Sequence, residues 1–499
     1  MTIPLQHPEQ AAQWLHEHVR GSLRTDSRQV APGDGFIAWP GSAHDGRHHV
    51  ASAVASGASA CLVEREGVEG FDFGGHNVAD YAGLKAATGP IAAAYFDHPS
   101  RALQIAAVTG TNGKTTTAWW LAQALSRLGR RCGLVGTLGI GEPGTMVPNG
   151  LTTPDPVLLQ QHLRLFAQSG YTACALEASS IGIEEHRLDS VAIDVAVFTN
   201  FTQDHLDYHS DMDAYWAAKR ALFDWSGLKS AVINLDDAKG EELLTSLAHR
   251  TLDLWSFSCL APARLEARAI HHGPRGVSFE LVEGLETRQI DTSLVGHFNV
   301  SNLLAVLATL RTMGVSFKDA VHACTDLLPV PGRMESIAGE DEPLVIVDYA
   351  HTPDALEKVL AALKPIALSR GGQLWCVFGC GGDRDASKRP LMGKVVQQHA
   401  DRIVVTSDNP RGEDPIAIMA QIREGLGEHS EVLMDADRAR AISQALREAC
   451  AHDVVLLAGK GHEPYQDVHG ARLPYSDHAQ TALALAARRA ERAILEPRS

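Results

Sequence analysis

Five short apolar runs, at 344–347, 374–378, 402–405, 432–434 and 454–457, recur through the last third of the chain, each followed by a stretch of helical periodicity. That repeat predicts parallel strands joined by crossover helices, a doubly wound, Rossmann-like sheet. Polar, glycine-bearing segments at 348–353, 379–389, 407–411 and 459–463 begin where four of these strands end. Ligands of open α/β sheets bind beyond the carboxyl ends of the strands, so the four loops should converge on one site.

Upstream, an apolar run at 105–108 leads into a glycine turn at 110–113 and a helical stretch at 115–128. Further runs at 172–176, 191–198 and 231–234 alternate with helical segments, predicting a mostly parallel central sheet. Between 252 and 295 the alternation tightens into short segments such as 277–282, which read as an antiparallel addition. The opening stretch mixes apolar runs at 35–39 and 60–64 with alanine-rich helical segments and closes on Asp97-His98-Pro99-Ser100. Pro329, Pro331 and Gly332 interrupt any regular element and mark a second boundary. The expectation is an α/β protein of three domains: 1–98, a P-loop-type central domain at 99–330, and the Rossmann-like domain at 331–499. The length of 499 residues agrees, at roughly 150 residues per domain.

Charge narrows the partners. Lys and Arg number 44 against 60 Asp and Glu, a net charge of -16 with no long basic run, which disfavours nucleic acid and anionic membrane. No export signal or apolar run of ~18 residues is present, and eight cysteines without a CxxC pair suit a reducing compartment, so a cytoplasmic location is expected.

The most informative motif is Val108-Thr109-Gly110-Thr111-Asn112-Gly113-Lys114-Thr115-Thr116, set between strand and helix as a phosphate loop requires. Its glycines let backbone N–H groups face phosphate oxygens, Lys114 adds a mobile charge, and the Thr115 hydroxyl can ligate Mg2+. Val108 stands where the usual GxxxxGK[ST] spacing has its first glycine. Glu177, closing the run 172–176, is placed to hold the same ion. Ser179, Glu185 and Arg187 form a polar cluster suited to an anionic or sugar-like substrate, and His205 lies in another strand-end loop as a candidate metal ligand.

Together these motifs resemble the Mur ligase family, and the likeness covers essentially the whole chain. Its shortened phosphate loop has the form seen at Gly110 to Thr115, which accounts for Val108. The resemblance implies ATP as substrate, with Gly110, Thr111, Asn112, Gly113, Lys114, Thr115 and Thr116 on its phosphates, Asn299 and Asn302 toward adenine, and Arg333 and His351 closing from beyond the linker. It also implies Mg2+ on Thr115 and Glu177. Lys219 aligns with a lysine this family carbamylates, and with His205 it would orient a second Mg2+; Lys219 is expected to be exposed or site-lining. Lys114, Lys219 and His205 are the catalytic candidates.

The tetrad Asp408-Asn409-Pro410-Arg411 is similar to that of the diaminopimelate-adding branch. The resemblance places Arg384, Gly459 and Glu463 in the same pocket. A zwitterionic acceptor suits it, because Arg411 can grip a carboxylate bidentately while Asp408 and Glu463 accept from ammonium groups. By the same likeness Thr25, Ser27, Ser42, Ala43 and His44 serve the UDP end, and Thr152, Thr153, Ser179, Glu185 and Arg187 the muramoyl-dipeptide. Leu151, Glu185 and Thr25 depart from the asparagine, glutamine and leucine usual at those positions. The implied reaction joins meso-diaminopimelate to UDP-N-acetylmuramoyl-L-alanyl-D-glutamate through an acyl phosphate, in a monomer. A lysine-adding sister enzyme, a folylpolyglutamate-synthetase-like ligase and a regulatory P-loop NTPase are the competing readings.

Overall fold

A computed structural model describes residues 2–41, 44–74, 76–273, 276–337, 341–427 and 431–495. Ser42 and Ala43 lie outside the described residues. Among these residues three large sheets, each with its own core, follow one another along the chain, and a two-stranded sheet is appended to the last.

The first sheet has five strands, all parallel, in the spatial order Ile3–Leu5, Val78–Tyr81, Ala60–Glu64, Gly35–Ala38, Leu23–Arg24. Helices Pro8–His18 and Leu84–Tyr95 bury Leu15, Ile91 and Ala92 against Ile37, Leu62 and Ala79 on one face.

The central sheet has ten strands. Its parallel core runs Leu265–Gly273, Asp253–Ser258, Ser230–Asn234, Val195–Phe198, Gln104–Thr109, Ala173–Glu177, Cys132–Gly136, with antiparallel strands added beyond both ends. The antiparallel pairing across 265–292 is the one its tight alternation predicts. The apolar run 191–198 enters the sheet only at Val195, because the Asp194 carboxylate takes the Ile105 N–H, at 2.8 Å. Helices Lys114–Arg127 and His297–Thr312 share a core on one face, while Pro156–Gln168 covers the other. The phosphate loop thus leaves the sheet at its centre, between the ends of its two neighbouring strands.

The third sheet has six strands in the order Glu335–Ile337, Leu344–Asp348, Val454–Ala458, Leu374–Phe378, Arg402–Thr406, Val432–Asp435. All are parallel except the first. Helices cover both faces, as near-continuous apolar strands require. The edge strand Glu335–Ile337 and the hairpin Tyr465–Val468 with Ala471–Pro474 are additions that the apolar pattern does not reveal, since none of their residues is buried.

One buried ion pair locks this sheet. The Arg438 guanidinium donates to both Asp477 oxygens, at 2.8 and 2.7 Å, and to Ala458 O at 2.9 Å, with both charged side chains fully covered. Removing one partner strands the other in a dry interior. Arg438→Ala should lower unfolding free energy in urea by about 3–5 kcal/mol, whereas a loss below about 1 kcal/mol would show that water reaches Asp477.

Candidate active site

Two glycines shape the phosphate loop by having no side chain. At Gly110, with φ +147°, a Cβ would fall 1.9 Å from Thr199 Oγ1, and at Gly113, with φ +85°, 2.4 Å from Asn302 Oδ1. The tight turn aims the N-terminus of helix Lys114–Arg127 at the space above the sheet. Lys114 folds back over the turn, its Nζ donating to Gly110 O and Thr111 O at 2.8 Å each.

Lys219 arrives from helix Met212–Arg220 and also donates to Gly110 O, at 2.9 Å. It is 1% exposed and is not among the cleft's lining residues, so the expectation of an exposed or site-lining side chain is corrected: Nζ sits over the Tyr215 ring, 4.3 Å from its centroid, walled in beneath the loop. Burial, then the neighbouring Lys114, push the Lys219 amine well below the usual lysine range. Burial also lowers Lys114, where Glu177 and Asp204 pull the other way.

Glu177 is buried beside the loop, where its carboxylate accepts from Thr115 Oγ1 at 2.8 Å, Thr137 N at 2.8 Å and Thr137 Oγ1 at 3.0 Å. Beyond the linker, Arg333 reaches back to Thr115 Oγ1 at 3.3 Å and stacks on Tyr349, 4.3 Å from the ring centroid. Asn299 and Asn302 are buried on helix His297–Thr312, Asn302 donating to Asn299 Oδ1 at 3.2 Å.

Asp204 is the site's unanticipated residue. Its buried carboxylate faces His205 Nε2 at 3.6 Å, and from the third domain His351 Nε2 at 3.8 Å and Lys388 Nζ at 3.6 Å. Burial opposes its ionisation, but His205, His351 and Lys388 outweigh that and hold it below the usual carboxylate range. Burial pushes His205 down to about 4, against the pull of Asp204, leaving a neutral ring with a lone pair at pH 7. Further ties between the domains run from Asn112 Nδ2 to Asp354 Oδ2, at 3.0 Å, and from Arg384 Nη1 to Asp207 Oδ2, at 3.2 Å.

These contacts roof a cleft of about 1990 Å³ whose lining runs from Lys114, Thr115 and Glu177 to Asp408, Asn409, Arg411 and Glu463. Arg411 has φ +48°; its N–H and C=O are pinned by Asp467 O, at 2.9 Å, and His469 N, at 2.7 Å, and its Nη1 donates to Gly382 O at 2.7 Å. At Gly459 a Cβ would lie 2.3 Å from Asp408 Oδ2. The linker meets this loop at a seam: a Cβ on Gly332 would lie 2.1 Å from His462 N, and one on Gly461 2.7 Å from Gly332 O.

Thr152, Ser179 and Arg187 line the same cleft, and Thr153 sits just behind, its Oγ1 donating to Glu177 O at 2.7 Å. Glu185 is engaged elsewhere, bound by Lys85 of the first domain and by Tyr208 OH, each at 2.7 Å. Thr25 faces the Asp155 carboxylate, and neither it, Ser27 nor the exposed His44 is among the cleft's lining residues. Asp204 and Lys460 stand inside segments whose motif pattern is visible; Lys388, on a helix, carries no such signal.

Residues 21–81, 108–310 and 332–461 match, in order, the Mur ligase family catalytic domain, the Mur ligase middle domain and the Mur ligase glutamate ligase domain. The chain belongs to the Mur ligase family. It is 58% identical over 487 residues to the UDP-N-acetylmuramoyl-L-alanyl-D-glutamate--2,6-diaminopimelate ligase of Acidovorax sp. (strain JS42), covering 96% of this chain and 97% of the relative. It is 48% identical to the enzyme of the same name from Janthinobacterium sp. (strain Marseille), covering 95% and 96%. A solved structure of such a ligase, 37% identical, superposes with a TM-score of 0.64 over 94% of this chain and 95% of the other.

Proposed function

We propose that the chain joins meso-diaminopimelate to UDP-N-acetylmuramoyl-L-alanyl-D-glutamate with conversion of ATP to ADP and phosphate, a step of peptidoglycan precursor synthesis. The observation that carries this reading is the single cleft joining a phosphate loop to an acidic and basic amino-acid pocket. A carboxylate is a poor electrophile, so a D-glutamate side-chain oxygen first attacks the γ-phosphorus and ADP leaves. The free amine of diaminopimelate then attacks the acyl phosphate, losing a proton as inorganic phosphate departs.

Lys114 and Arg333 face the phosphates and offset charge in the first step. Lys114 must exchange its two loop carbonyls for phosphate oxygens, a swap its three rotating donors allow. Mg2+ is commonly held by one or two side chains plus substrate phosphates, and Glu177 and Thr115, whose oxygens meet at 2.8 Å beside the loop, would hold it here. Bound there, the ion would neutralise phosphate charge during transfer. Burial disfavours the Lys219 ammonium, and as the neutral amine Lys219 would take up CO2 as a carbamate with loss of a proton and so could join His205 as an anionic ligand for a second ion. Domain limits at 98/99 and 330/331, a cytoplasmic location and a monomeric state complete the reading.

The test is phosphate release with ATP and the UDP-sugar dipeptide across a panel of amino acids. Meso-diaminopimelate should be the preferred acceptor. L-lysine at equal or higher rate would identify the lysine-adding sister activity instead, and release without any amino acid would indicate a nucleotide switch.

A further inference from the structure

Lys460 is completely buried, and no step above uses it. Its Nζ donates to Asn409 Oδ1 at 3.0 Å and to Glu463 Oε2 at 2.9 Å, and lies 4.0 Å from Asp408 Oδ1. The rings of Tyr465 and Tyr475 flank it, each centroid 5.9 Å from Nζ. A lysine buried to this degree must be paired, and here every partner belongs to the amino-acid pocket.

The hydrogen bonds fix orientation. Asn409 Oδ1 accepts from Lys460 and from Asp467 N, at 2.9 Å, so its amide must present Nδ2 to Glu463 Oε2, also at 2.9 Å. Glu463 Oε2 therefore carries two donors. Among the described residues its Oε1 has only Tyr349 OH, at 3.5 Å, too long to be a strong bond, and Glu463 lines the cleft. The carboxylate is held with one oxygen committed to the protein and the other only weakly engaged, in a residue that lines the cleft.

The same lysine sets the charge of the pocket. Asp408 and Glu463 bring two negative charges to the side of the pocket that Lys460 touches and Lys460 cancels one, while Arg411 and Arg384 supply positive groups and Asp467 a further carboxylate on the same lining. The distal end of diaminopimelate is a neutral zwitterion, ammonium plus carboxylate, whereas that of lysine is a bare cation. A pocket without Lys460 would be more negative by one charge and so better suited to the cation.

We propose that Lys460 is a positioning and specificity-determining residue: it orients Glu463 and Asn409 and balances the pocket so that a zwitterionic acceptor is preferred to a cationic one. The inference rests on the diaminopimelate-ligase reading. Lys460→Met should raise the diaminopimelate KM about tenfold to a hundredfold while the KM values for ATP and UDP-sugar change less than about twofold. Discrimination against L-lysine, as a ratio of kcat/KM values, should fall about tenfold. General loosening of the fold would lower both amino-acid rates together and leave that ratio where it was, and this outcome would overturn the proposal. Should Lys460→Met fail to fold, Lys460→Gln, which keeps a donor and drops the charge, gives the same comparison. Glu463→Gln and the double variant separate the two levels of the argument. If Glu463→Gln raises the diaminopimelate KM and the double variant is no worse than the poorer single one, Lys460 acts through Glu463. If Glu463→Gln acts and Lys460→Met does not, the role of Lys460 is refuted and the pocket stands; if Glu463→Gln leaves the diaminopimelate KM unchanged, the pocket reading itself fails.

Discussion

Lys219→Ala should lower kcat by about two to three decades, the scale of removing one electrostatic stabiliser from an active site. Two consequences of the substitution are separable. The first is loss of the carboxylate-like group that a carbamylated lysine would present, and it should be partly reversed by adding short carboxylic acids. The second follows from burial: Nζ packs over Tyr215 and satisfies Gly110 O, so alanine leaves a cavity beneath the phosphate loop and should also lower the Tm. Lys219→Met fills more of that space and should recover Tm without recovering kcat. Steady-state kinetics with and without acetate, beside a thermal scan, distinguishes them; full activity in the unrescued variant would remove Lys219 from the mechanism.

The second large effect concerns acceptor binding. Arg411→Ala should raise the diaminopimelate KM by about one to three decades, since a bidentate charge-assisted pair in a closed site contributes on the order of 2–4 kcal/mol. The KM values for ATP and UDP-sugar should move far less. The left-handed backbone at this position, with φ +48°, is as unfavourable for alanine as for arginine, so the substitution tests the side chain alone. Arg411→Lys should recover only part of the loss, because an ammonium keeps the charge but not the planar fork. An ATP KM rising as much as the diaminopimelate KM would move Arg411 to the nucleotide site.

What could be read from the sequence follows the range of the interactions involved. The four inner strands of the third sheet are legible because both faces are covered and their apolar runs are unbroken, and the phosphate loop because its glycines must sit where any Cβ would collide. The Asp204 cluster is not legible: Asp204 and Lys388 are 184 positions apart and meet only once two domains have folded and packed. Lys219 misleads for a related reason. On helix Met212–Arg220 a lysine in the last turn reads as a solvated end, but the loop it lies beneath comes from a strand more than a hundred residues earlier.

The seam between Gly332 and Gly461 gives the linker a role beyond joining two domains. Arg333 touches the phosphate loop through Thr115, while Lys460 and Glu463 hold the acceptor pocket, and the two backbones between them touch with no room for a methyl group. The loop that carries Lys460 and Glu463 and the segment that carries Arg333 are therefore in direct backbone contact. The linker is thus a spacer of fixed thickness: a side chain at Gly332 or Gly461 would have to part the two backbones, so Gly332→Ala should disturb both the Arg333 and the Glu463 ends of the cleft at once.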